Sequence, residues 1–245
     1  MCDDFTDKAE ATGPEQKGVS RRQFAALGAA AALAAYAEAG SAATASLRET
    51  KVRIPTPDGT ADAEFFHPAR GRHPGVIIWP DVGGPREAFT VMGRRLAAEG
   101  YAVLVVNQYY RGGPAPHLAS FAEWRTPEGR AKLAPLIAGL STAGTERDTA
   151  AFVRFLDRQR SVNRRRKIGT QGYCQGGATT IRTAAAAPNR VGAAASFHGG
   201  GLASDKPDSP HLLLVKTRAS YLIATAKNDD TRDPGEKDRS RAAAN

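Results

Sequence analysis

The pattern of apolar and polar positions divides the chain into alternating strand-like and helix-like segments after about residue 45. Lys51–Ile54 and Ala61–Phe66 alternate around Pro57-Asp58-Gly59, which predicts an opening hairpin. Gly75–Trp79 and Tyr101–Val106 are short continuous apolar runs, as expected of strands covered on both faces. Between them, Phe89–Glu99 has helical spacing and ends at Gly100. Tyr109–Ser141 is rich in Gly and Pro and reads as a long irregular stretch. Thr145 and Asp148 have capping-box spacing before a helix with Phe152, Phe155 and Leu156 on one face. Further along, Lys167–Gly172, Gly192–Phe197 and Ser220–Ala226 read as strands, and Gly176–Ala187 and Glu236–Ala244 as helices. This alternation predicts an α/β architecture with a mostly parallel sheet flanked by helices.

The first 45 residues have a different pattern. Ser20-Arg21-Arg22-Gln23-Phe24 precedes an uncharged, Ala-rich stretch from Phe24 through Ala37, then the small-x-small sites Ala37-Glu38-Ala39 and Ala43-Thr44-Ala45. Basic, apolar and cleavage regions in that order predict a signal peptide over 1–45 and a domain over 46–245. The paired arginines resemble the twin-arginine signal of bacteria, which implies the twin-arginine export machinery as a partner and a periplasmic or secreted product.

Composition narrows the function classes. The chain has 245 residues, and its 34 basic and 25 acidic residues give a net charge of +9. The first 45 residues hold six acids and four bases, so the remainder carries 30 bases and 19 acids, a net of about +11. The run Arg164-Arg165-Arg166-Lys167 has no interleaved aromatics, which argues against a nucleic-acid stacking platform. No G-x-G-x-x-G follows the first strand, which argues against a dinucleotide site. The two cysteines exclude a disulfide scaffold and a multi-cysteine metal module. Cys2 falls in the predicted signal, leaving Cys174 as the lone thiol of the domain.

Cys174 lies in Gly172-Tyr173-Cys174-Gln175-Gly176-Gly177, between a predicted strand and a predicted helix. This is a nucleophile-elbow pattern with Cys in place of Ser. The following helix points its N-terminus at the sulfur, which is expected to favour the thiolate.

Four segments carry a family resemblance: Gln171–Gly177, Ser196–Leu202, Asp208–Leu214 and Ala226–Asp230. Together they resemble the dienelactone hydrolase family of the α/β-hydrolase fold, from about Thr50 onward. The resemblance implies hydrolysis of carboxylic esters or lactones through a Cys-Asp-His triad, without cofactor or metal, on a small-molecule substrate. It places the nucleophile at Cys174 and the triad acid at Asp229, with Asp230 one register step away. The loop Trp79–Gly84 corresponds to the family's acidic oxyanion loop. Asp81 there stands where members commonly have Glu against the resting thiol, and the backbone N–H groups of Val82 and Gln175 would form the oxyanion hole. Arg111 corresponds to an arginine that binds substrate carboxylate in some members. A monomer is expected.

One feature departs from the family pattern. In this fold the triad histidine follows the acid along the chain, yet the five histidines (His67, His73, His117, His198, His211) all precede Asp229. The sequence is therefore read as C-terminally incomplete, lacking the last strand, the His loop and the closing helix. The alternative is a catalytically defective hydrolase-like protein. His198 sits at the C-terminal end of a strand, where α/β sites form, and is expected to be structural rather than a substitute base.

Overall fold

A computed structural model describes residues 46–244. The predicted signal segment lies outside the described residues. The elements are β1 (Leu47–Thr56), β2 (Gly59–Pro68), β3 (Gly75–Trp79), α1 (Glu87–Ala98), β4 (Ala102–Val106), α2 (Pro127–Ala138), α3 (Thr142–Arg158), β5 (Ile168–Tyr173), α4 (Gln175–Ala186), β6 (Val191–Phe197), β7 (Ser220–Ala224), α5 (Lys227–Arg232) and α6 (Glu236–Ala244). Short 3₁₀ turns lie at Tyr110–Gly112, Phe121–Arg125 and Pro210–Lys216.

Seven strands form one sheet in the order β1-β2-β4-β3-β5-β6-β7. The hairpin β1–β2 and the β2–β4 pair are antiparallel, and every pair from β4 through β7 is parallel. All five residues of β3 and of β4 are buried, as their continuous apolar runs require of central strands.

Side-chain alternation divides the core between the two faces of the sheet. Phe65, Ile77, Trp79, Leu104 and Ile168 meet Phe152 and Leu156 of α3 on one face. Phe66, Val76, Ile78, Val103 and Val105 meet Phe89 and Ala97 of α1 on the other. Gly93 of α1 lets that helix close on the sheet, since a Cβ there would lie 2.6 Å from the Phe66 ring.

Three elements differ from the sequence reading. The stretch 109–141 contains α2, twelve residues that begin with Pro127 and enclose Pro135. Thr126 caps α2 by accepting from the Gly129 N–H at 3.0 Å. Helix α3 starts one turn earlier than the Thr145–Asp148 spacing implied, because Ser141 is the cap, accepting from the Gly144 N–H at 3.0 Å. Asp148 is thus released from capping and lies buried in α3. Finally, β7 ends at Ala224 and the chain turns into α5, where the Ala226 carbonyl accepts from the N–H groups of Asp229 and Asp230.

Candidate active site

β5 delivers the chain to Cys174 at the C-terminal edge of the parallel strands, and α4 begins at the next residue. Cys174 has φ 51° and ψ −116°, a conformation that costs an L-residue on the order of 1–3 kcal/mol. The surrounding packing enforces it. A Cβ on Gly172 would lie 2.0 Å from the Gly176 carbonyl oxygen, and one on Gly176 would lie 2.4 Å from the Trp79 carbonyl oxygen. Strand β5, helix α4 and the loop after β3 therefore approach so closely that both positions must lack a side chain. The Cys174 N–H donates to the Phe197 carbonyl at 3.0 Å, tying the turn to β6.

The backbone N–H groups of Gln175 and Val82, one from α4 and one from the loop after β3, act on the half-buried sulfur and favour its thiolate. Val82 is held from behind, its carbonyl accepting from Tyr109 Oη at 3.0 Å. The same hydroxyl also meets the Gln175 side-chain oxygen, sharing its one proton between the two acceptors, so Tyr109 bridges both segments that carry these N–H groups. Burial pushes the Tyr109 hydroxyl far above its ordinary pKa, so it stays a neutral donor.

The thiol pKa moves opposite to the expectation from the helix N-terminus. Burial raises it most, and the charges of Asp81 and Asp229 add to the rise. The N–H groups of Gln175 and Val82 pull the other way without reversing it. Desolvation and two nearby carboxylates outweigh one helix end, so the resting group is a thiol at neutral pH.

The carboxylate of Asp81 is held within its own loop. Each of its oxygens accepts from Arg86, at 2.6 Å in both cases, and Oδ1 also accepts from the Gly83 N–H at 2.9 Å. Its hydrogen-bond partner is thus a bidentate guanidinium five residues away, while its charge also bears on the Cys174 thiol. Arg86 is itself fixed over the Phe89 and Phe121 rings.

Asp229 lies on the first turn of α5, with a side chain 15% exposed, and forms a 3.6 Å ion pair with Arg232. It is close enough to the sulfur to act through its charge. Asp230, the register alternative, is paired with Lys237 at 2.9 Å.

Arg111 is placed differently from the sequence expectation. Its guanidinium donates to both oxygens of buried Asp148 at 2.9 Å and to Asp58 at 2.5 and 3.2 Å. Burial alone would lower its pKa, but the bonds to these carboxylates hold it well above its ordinary value. The fork proposed for a substrate carboxylate is already filled by two carboxylates of the chain itself. Asp148 also accepts from Tyr110 Oη at 2.6 Å.

His198 is exposed, has φ 43° and donates its backbone N–H to the Ala224 carbonyl at 2.8 Å. Among the described residues, no histidine forms a hydrogen bond with Cys174 or Asp229. Buried Glu236 was missed in the sequence: its carboxylate accepts from the N–H groups of Leu202 and Ala203, anchoring the loop after β6 to α6. No group of three or more His, Cys, Asp or Glu side chains suited to a metal ion occurs among the described residues.

Residues 61–243 match the model of the dienelactone hydrolase family. The chain belongs to that family. A candidate carboxymethylenebutenolidase of Synechocystis sp. is 29% identical over 194 residues, covering 78% of this chain and 76% of that protein. The fold is similar to that of a candidate dienelactone hydrolase of Klebsiella pneumoniae, with TM-score 0.65, 22% identity and coverage of 81% and 82% of the two chains. A dienelactone hydrolase of Anabaena variabilis superposes with TM-score 0.55 at 18% identity, covering 80% and 81%. As a dienelactone hydrolase family member the chain is a hydrolase by descent, with the α/β fold of its structural relatives.

Proposed function

We propose that this protein hydrolyses carboxylic esters or lactones with Cys174 as nucleophile. The observation that carries the reading is the strained φ of Cys174 between two obligatory glycines, at a strand-to-helix turn. In the proposed reaction the sulfur, having lost its proton, attacks the carbonyl carbon. The carbonyl oxygen becomes an oxyanion that accepts from the N–H groups of Val82 and Gln175. Collapse re-forms the carbonyl and breaks its bond to the alkoxy oxygen, which takes up the proton lost by the thiol and leaves as the alcohol, with the acyl group held on Cys174 as a thioester. Water then cleaves the thioester, releasing the acid and restoring the thiol.

Asp229 is assigned to the triad acid, the position from which a histidine would be oriented. Among the described residues no histidine is bonded to it or to Cys174. That observation also favours a second reading, in which the protein is a defective hydrolase that stops at the acyl stage. Incubation with p-nitrophenyl acetate separates the two: steady release of nitrophenol supports turnover, and a single burst supports the arrested form. In either case, acetyl transfer to another residue, or activity preserved in Cys174→Ala, contradicts the nucleophile assignment.

The Ser20–Phe24 region is proposed as a twin-arginine signal that sends the domain to the periplasm or beyond. N-terminal sequencing of the exported protein tests this: a start near residue 46 supports it, and an intact Met1 contradicts it.

A further inference from the structure

The five parallel strands all begin along one edge of the sheet, where Gly75 pairs with Ala102, Ile168 with Val191 and Ala193 with Ser220. Neighbouring strands lie about 4.8 Å apart, so this edge is roughly 20 Å wide. The segments that reach it, 69–74, 99–101, 157–167, 188–190 and 217–219, hold ten basic residues and two acids, Glu99 and Asp157. Asp157 is taken by Arg190 at 2.7 Å. The other nine cations form no ion pair among the described residues, and all nine are exposed. One edge therefore carries most of the net charge of about +11 that follows residue 45. Helices α1, α3 and α4 end here, and their C-termini attract cations, but each counts for only about half a negative charge. The helix ends account for a small part of the excess.

The backbone beneath these charges is fixed. The His73 N–H donates to the Ser161 carbonyl at 2.7 Å, and the Asn163 N–H donates to the His73 carbonyl at 2.8 Å, which ties two basic loops together. Between them, Arg72, Arg160, Arg164 and Arg165 line a recess of about 520 Å³ with no acidic side chain on its wall. Nearby, Tyr101 is 38% exposed and shares a groove with Glu99, Arg165, Arg166 and Lys167. A tyrosine suits a lipid–water boundary, where its ring meets apolar groups and its hydroxyl stays wet. One ring is no stacking platform for bases, so the pattern favours a lipid surface over a nucleic acid. Strand β5 separates Lys167 from Cys174 by six residues, roughly 20 Å, so a surface docked at this edge leaves the elbow facing away from it.

We propose that this edge docks the domain on an anionic phospholipid bilayer, with Arg164, Arg165 and Arg166 at the centre of the contact. Each Lys or Arg brought to an anionic membrane surface strengthens binding about fivefold, so these three together account for about 100-fold. The attachment is electrostatic and fades as salt screens it. It does not depend on the ester-hydrolase reading, since it uses no residue of the active site.

The test is co-sedimentation of the full chain with vesicles of phosphatidylglycerol and phosphatidylcholine in equal parts, and with vesicles of phosphatidylcholine alone. Binding to the anionic vesicles only, at about 0.05 M salt and reversed at about 0.5 M, is the expected result. The triple variant Arg164→Gln/Arg165→Gln/Arg166→Gln is expected to bind them about 100-fold more weakly. The variant Lys51→Gln/Arg53→Gln/Arg130→Gln removes the same charge from β1 and α2 and is expected to stay close to the unaltered protein. All six side chains are exposed, and unaltered thermal melting confirms that both variants fold. No binding to anionic vesicles, or equal binding to phosphatidylcholine alone, overturns the proposal. Binding unchanged in the first variant, as attachment through residues 1–45 would give, also overturns it. An equal loss in both variants shows a response to net charge and overturns the assignment to this edge. Tighter binding of duplex DNA or inorganic polyphosphate than of the vesicles at the same salt overturns the lipid partner.

Discussion

Asp81 is held by Arg86: both carboxylate oxygens accept from the guanidinium at 2.6 Å. Asp81 is thereby ion-paired within its own loop, while its charge still raises the thiol pKa. Arg86→Ala removes the compensating cation and leaves the Asp81 field acting on the thiol. The thiolate is then disfavoured further, and iodoacetamide alkylation at pH 8 is expected to slow by roughly two- to fivefold. Faster alkylation would show that the pair does not shield the sulfur.

The raised thiol pKa fixes the pH dependence. A group that is neutral when protonated gains reactivity only as pH rises through its pKa, so alkylation of Cys174 keeps increasing above the pH at which a free cysteine levels off. Asp229→Asn removes one charge that opposes ionisation and is expected to shift this profile to lower pH. Stopped-flow alkylation between pH 6 and 11 reads both curves. An unmoved profile contradicts the proximity of Asp229 to the sulfur.

Arg111 acts as a strut between Asp58 and Asp148. Its removal in Arg111→Ala strands Asp148, whose side chain is 4% exposed, with Tyr110 as its remaining partner. A loss of ~3 kcal/mol is expected, seen as a lower midpoint in urea. Full stability with only a raised KM would instead mark a substrate-binding arginine.

Gly176→Ala tests the elbow without removing a polar group. The added methyl would sit 2.4 Å from the Trp79 carbonyl and 2.6 Å from that of Pro80, so α4 and the β3 loop must part. Those two segments carry the N–H groups of Gln175 and Val82, and acylation is expected to fall roughly 100-fold. Little loss would show that the two N–H groups contribute little to acylation.

The fold was largely legible because its central strands are apolar on both faces. Gly75–Trp79 emerged with identical bounds, and Lys167–Gly172 shifted by one residue to Ile168–Tyr173. Helix α2 was hidden because two prolines and weak amphipathicity imitate a loop, and it is held by its Thr126 cap and by burial of Leu133. The elbow was legible because its glycines record close backbone approach. The roles of Asp81 and Arg111 were not, because a motif shows where a charge stands but not which neighbour claims it. Arg86 lies five residues from Asp81, but Asp148 lies 37 residues from Arg111, and only tertiary packing shows that these pairs meet.

The most direct measurement is the mass of the Cys174 peptide after brief exposure to p-nitrophenyl acetate. An acetyl group on Cys174, absent in Cys174→Ala and strongly reduced in Gly176→Ala, is the predicted result. An unmodified Cys174 peptide alongside released nitrophenol, or acetylation confined to other side chains, would contradict nucleophilic catalysis by this cysteine.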